Sequence, residues 1–98
     1  MINIKEGVVL TGLSIAMWEI VPIVNSVYCP HDLWITSGLE GDHKAGSLHF
    51  QGKALDFRTR HLDAERKRLV SFRCREYLDD AYDVVLEATH LHIEYDPK

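Results

Sequence analysis

Ninety-eight residues, 46% apolar and 27% charged, describe one small folded domain and exclude a disordered or collagen-like chain. A chain of this length buries only about 60–65% of its unfolded surface, so its core is small. The formal net charge of −4 argues against nucleic acid as the main partner, and no apolar run approaches the ~18–20 residues of a membrane span.

Leu13, Ala16, Met17, Ile20, Val24 and Val27 recur at three- and four-residue spacing and predict one buried helix face. Pro22 falls inside that block, where it kinks the helix or opens a second one. Cys29-Pro30-His31-Asp32 reads as a turn and Leu33-Trp34-Ile35-Thr36 as a short strand. Residues 37–53 hold four glycines and little periodicity, a long loop of the kind that carries function. Ala54–Arg58 is a strand leaving that loop. Asp63 is the N-cap of a helix running to about Leu78, with Val70, Cys74, Tyr77, Leu78 and Ala81 as its apolar stripe. Tyr82–Glu87 and His90–Tyr95 read as two strands joined by a tight turn at Ala88-Thr89. The expected core is Leu13, Met17, Ile20, Val70, Cys74, Leu78, Val85 and Ile93.

Two cysteines, Cys29 and Cys74, are too few for a disulfide scaffold and read as small hydrophobes in a reducing compartment. The segment MINIKEGVVL has no basic region ahead of an apolar stretch, so no secretory signal is expected and synthesis is placed in the cytoplasm. Seven of the eleven basic residues lie between Arg58 and Arg75, which reads as the solvated face of the second helix or as a weak patch for an anionic polymer.

Histidine is the unusual component, with six in the chain. The loop ends in Ser47-Leu48-His49-Phe50-Gln51-Gly52-Lys53-Ala54-Leu55-Asp56, so that a histidine at the loop's end and an aspartate within the next strand can converge. Strand alternation places His90, His92 and Glu94 on one face and Leu91, Ile93 and Tyr95 on the other. Two imidazoles and a carboxylate suit zinc with a fourth position open for water, whose pKa then falls to about 7. Read singly, His49 is equally a loop surface residue, Asp56 a turn acid, and His90-Leu91-His92 an amphipathic edge strand.

Taken together, Ser47-x-His49-x-x-Gly52-x-Ala54-x-Asp56 and the following His90-x-His92 resemble the zinc peptidase family of D-Ala-D-Ala carboxypeptidases, L-alanyl-D-glutamate endolysins and related murein endopeptidases. The likeness runs from about Ile35 to Asp96, roughly two thirds of the chain. The same stretch resembles the hedgehog signalling domain, with which that family shares its fold and zinc site. There the likeness extends to Thr36-x-Gly38, to His43 and to the spacing of Glu87 before His90. The resemblance implies an α+β fold, with a small antiparallel sheet, two helices on one face and a zinc site on the other.

It further implies His49, Asp56 and His92 as zinc ligands. His90 becomes a site-lining residue that polarises the scissile carbonyl, and Glu87 the acid that deprotonates a zinc-bound water. His43 and Ser47 line the site. An alternative register, Glu87-x-x-His90, makes His90 the ligand; the His-x-His pattern favours His92. Many of these peptidases carry an arginine for a substrate carboxylate where this chain has Leu39, so another basic residue does that work or the substrate has no carboxylate there. Glu40 and Asp42 read as solvated loop acids, and calcium is not expected. The implied activity is zinc-dependent hydrolysis of peptidoglycan stem or cross-link peptides by a phage or prophage protein, virion-associated or released to the wall. The alternatives are a zinc-containing binding module without catalysis and a structural virion component.

Overall fold

The computed structural model describes residues 1–41 and 46–97. Its elements in chain order are β1 (Ile2–Ile4), α1 (Ile15–Tyr28), β2 (Leu33–Ser37), β3 (Ala54–Arg58), α2 (Ala64–Tyr77), β4 (Tyr82–Leu86) and β5 (His90–Tyr95). The five strands form one sheet in the order β1-β2-β3-β5-β4. The sheet is mixed rather than antiparallel throughout, because β1 runs parallel to β2 while every other pair is antiparallel. β1 has only three residues, too few for a readable alternation.

Both helices start where a side chain can satisfy an orphan amide. Ser14 Oγ accepts the Met17 N–H at 3.3 Å, and Asp63 Oδ1 accepts the Arg66 N–H at 2.7 Å. Pro22 neither ends α1 nor opens a new helix; the element runs through it. Pro22 and Trp18, four residues earlier, are both exposed, so water can replace the missing N–H.

The helices share one face of the sheet. Met17, Ile20, Val24, Val27 and Tyr28 of α1 and Val70 and Cys74 of α2 meet Leu33, Ile35, Leu55, Phe57, Val84, Leu91 and Ile93 in one core. Leu78 caps α2 and is buried with them. One expected core position and two positions of the expected α2 stripe are corrected, Ala81 because it lies past the end of the helix. Val85 is 42% exposed and its neighbour Val84 takes the core side, paired with Ile93; Tyr77 is exposed at the end of α2. Cys74 is buried as a small hydrophobe, whereas Cys29 is exposed. Among the described residues no helix is long and apolar enough to cross a membrane.

The register of β3 on β5 pairs Leu55 with Ile93 and Phe57 with Leu91 on the helix side. The same register pairs Asp56 with His92 and Arg58 with His90 on the opposite face. Thus the pairing that closes the core also aligns the polar residues of the open face.

Candidate metal centre

His49 comes from the turns that precede β3. Phe50, Gln51 and Gly52 N–H groups donate to Ser47, Leu48 and His49 carbonyls at 3.2, 3.2 and 3.0 Å, and Ser47 Oγ accepts the His49 N–H at 3.2 Å. Ser47 therefore acts on the site through the backbone of His49. Gly52 has φ +71° and its would-be Cβ falls on the Gly12 carbonyl, so both backbone conformation and space require glycine there. Its own carbonyl accepts the Ser14 N–H at 2.8 Å, sewing this loop to the start of α1.

The imidazole of His49 is buried, and its Nδ1 lies 2.8 Å from the Gly38 carbonyl. A carbonyl only accepts, so Nδ1 carries a proton, and Nε2 is the nitrogen turned towards Asp56 Oδ1, 3.4 Å away. Gly38 is itself fixed. Glu40 Oε1 accepts N–H groups from Gly38 at 2.9 Å and Val9 at 2.8 Å, and the Leu39 N–H reaches the Val9 carbonyl at 2.9 Å. A Cβ on Gly38 would collide with that same Val9 carbonyl. Glu40 is thus a backbone clamp rather than a solvated acid. Burial works against its charge, but the Val9 and Gly38 amides outweigh it and hold its carboxyl below the usual range. Leu39 packs against the core.

His92 is braced from two sides. Its Nδ1 lies 2.8 Å from Asp56 Oδ1 and its Nε2 2.8 Å from Glu94 Oε1. Hydrogen bonding to Asp56, opposed by burial and reinforced by Glu94, lifts its pKa to about 9. Burial would raise the Asp56 carboxyl, but hydrogen bonds from His49 and His92 prevail and hold it well below the usual carboxylate range.

His49, Asp56 and His92 each offer one ligand atom, all within 4.8 Å of one another. The inward atoms are His49 Nε2, Asp56 Oδ1 and His92 Nδ1. Each histidine has its other nitrogen held from behind, by the Gly38 carbonyl or the Glu94 carboxylate, the arrangement that orients imidazole ligands at metal sites. The donor set fits zinc, and the proton now bridging His92 and Asp56 occupies the place a cation would take.

His90 stands beside this group rather than in it. Its Nε2 is 3.8 Å from Asp56 Oδ2, and its Nδ1 lies 3.1 Å from Thr89 Oγ1. The geometry therefore groups His92, not His90, with His49 and Asp56. Glu94, which strand alternation put among the candidate ligands, sits behind His92 as its brace. Glu87 is exposed, one residue past β4, and its N–H donates to the His90 carbonyl at 2.8 Å, so the two residues face each other across the hairpin turn. His43 and Asp42 lie outside the described residues. The sequence signal missed Glu40, whose role as a clamp on Val9 spans 31 positions.

Comparison with known protein families and with curated proteins gives no match to this chain.

Proposed function

We propose that the protein is a zinc-dependent peptidase acting on peptidoglycan stem or cross-link peptides. One observation supports this reading above the others: two imidazoles and a carboxylate converge, each imidazole is held from behind, and a further histidine stands at their edge. His49, Asp56 and His92 would hold the ion, which when bound supplies Lewis-acid polarisation and an activated water at neutral pH.

The chain's own groups supply the rest. His90 is half-buried and has Nε2 on the Asp56 side, placed to donate a hydrogen bond to an oxyanion as a carbonyl becomes tetrahedral. Thr89 Oγ1 at His90 Nδ1 restricts the ring's orientation. Glu87, across the turn from His90, is the general base that takes a proton from the attacking water and returns it to the departing amine. The choice of peptidoglycan follows from the sequence resemblance.

The test is incubation of zinc-loaded protein with purified cell-wall sacculi and with synthetic stem peptides, read by mass spectrometry. Appearance of new amine and carboxylate termini is the expected result. Zinc-loaded, folded protein that releases nothing from either substrate would replace this reading with a binding module.

A further inference from the structure

Both helices bury one face against the sheet, so their outer faces form a layer on the side away from Asp56 and His92. Ile15, Trp18 and Ile23 of α1 and Phe72 and Tyr77 of α2 all stand exposed there, Ile15 by 75% and Phe72 by 57%. Clustered apolar side chains on an outer surface mark an interaction site.

Two features of this layer complement each other. The first is a groove of about 240 Å³ between the helices, with Ile23 and Tyr77 at its sides, Leu78 and Tyr82 beneath, and Glu19 and Asp79 at its rim. The Tyr82 hydroxyl donates to the Ala16 carbonyl at 2.8 Å and ties the groove floor to α1. Burial, and then the charges of Asp79 and Glu19, hold the Tyr82 phenol above its ordinary range. The second feature is a ridge on α2 formed by Arg68 and Phe72, one turn apart, with Arg73 beside them. The other two arginines of α2 are spent within the fold. Arg66 Nη2 donates to the Cys29 carbonyl at 2.7 Å, and Arg75 Nε and Nη2 donate to the Val84 carbonyl at 3.2 and 3.1 Å. Among the described residues neither Arg68 nor Arg73 has an ion-pair partner.

We infer that the helix layer is the interface of a reversible homodimer, in which the Arg68–Phe72–Arg73 ridge of each protomer seats in the acid-rimmed groove of its partner. Phe72 fills the apolar interior and the two guanidiniums meet the rim carboxylates. Ridge and groove lie on one surface, so a single two-fold axis satisfies both contacts at once. An anionic bilayer fits this layer less well, because Glu19, Glu65, Glu76 and Asp79 share it with the arginines and would be repelled. Each fourteen-residue helix is about 21 Å long and the two side by side are about 20 Å wide, a face for a weak pair rather than an obligate one. The pairing leaves both metal centres uncovered and turned outward, whatever reaction they perform.

The test is sedimentation equilibrium of the full chain from about 10 μM to about 1 mM, in chelator and with zinc. The expected result is a monomer–dimer equilibrium with a dissociation constant of about 100 μM, equal in both conditions. Phe72→Ser should raise that constant about tenfold. Two charge variants at exposed positions should do the same. Arg68→Glu/Arg73→Glu reverses the ridge. Glu19→Lys/Asp79→Asn reverses the groove and keeps an oxygen for the Ala81 N–H, which Asp79 Oδ1 accepts at 2.9 Å. Mixed in equal amounts, the two charge variants should pair with each other about as tightly as the parent pairs with itself, because each then meets the opposite charge.

A chain that stays monomeric at about 1 mM overturns the inference. So does a dimer unchanged by Phe72→Ser and by both charge variants, which would lie on another surface, or one that forms only with zinc, which the metal would bridge. Charge variants that remain monomeric when mixed remove the complementarity and with it the ridge-in-groove pairing. A monomeric parent that cosediments with phosphatidylglycerol vesicles but not with phosphatidylcholine vesicles gives the layer to a lipid surface instead. Cleavage of wall peptides, or its absence, bears on none of these outcomes.

Discussion

Glu40 and His49 are linked through one residue: the Gly38 N–H donates to Glu40 Oε1 at 2.9 Å, and the Gly38 carbonyl accepts from His49 Nδ1 at 2.8 Å. A carboxylate in the loop thereby sets the position of the carbonyl that sets the tautomer of a candidate ligand.

This link has a pH signature. The Glu40 carboxyl is held below its ordinary range in the folded chain, so its contribution is complete above the unfolded carboxyl pKa of about 4.3 and is lost as pH falls through the lower, folded value. Glu40→Gln should flatten the acid limb of the stability profile. Its cost at pH 7 should be about 1 kcal/mol, modest because solvent screens the partly exposed charge. Urea unfolding of parent and variant between pH 3 and 7 checks both. Parallel acid limbs would show that Glu40 carries no such linkage.

Zinc loading should depend on both ligands and braces. Parent protein should retain close to one equivalent of zinc after dialysis, with Asp56→Ala and His92→Ala losing it. Glu94→Gln keeps the ligands but weakens the brace on His92, so it should lower affinity about 10–100-fold without changing stoichiometry. Competition with a chromophoric chelator measures this, and a His92→Ala variant with full occupancy would remove His92 from the ligand set.

Glu87→Gln should retain zinc and fold, since the change is nearly isosteric at an exposed position. If the parent cleaves a wall peptide, the variant should be slower by about 10²–10⁴-fold. His90→Ala should lose less, because polarisation by the metal survives. Equal rates for parent and Glu87→Gln would assign the base to another acid.

The β4 register predicts an asymmetry between adjacent valines. Val84→Ala should cost about 2 kcal/mol through lost burial and a partial cavity, whereas Val85→Ala should stay within about 0.5 kcal/mol. Chemical denaturation distinguishes the two, and equal costs would refute the register.

Thiol labelling should divide the cysteines. Cys29 is exposed and should react at once, whereas Cys74 is buried with its thiol pushed up to about 12 by burial and should react only on unfolding. Prompt labelling of two thiols in native protein would show α2 to be loosely docked.

Much of this architecture is legible in the residues alone. β3 and β5 match their expected bounds because Leu55/Phe57 and Leu91/Ile93 alternate with Asp56 and His90/His92. The α2 start follows from Asp63. β4 resists reading because Val84, Val85 and Leu86 are consecutive apolar residues, so period alone does not choose the face. β1 is short and pairs with β2 across the intervening α1, a non-local contact without a turn to announce it. At the site, residue types and spacing indicate His49, Asp56 and His92. They say nothing of Glu40, which acts on amides at Gly38 and Val9, and they show the face of Glu94 but not that it stands behind His92.

The pairing of Asp56 with His92 also carries a folding consequence. A slip of one residue between β3 and β5 would turn Leu91 and Ile93 to water and the histidines into the core, abolishing both at once. Any ion held by His49, Asp56 and His92 would bind only the correctly registered β3–β5 pair, so metal supply during refolding would act as a proofreading signal for strand alignment.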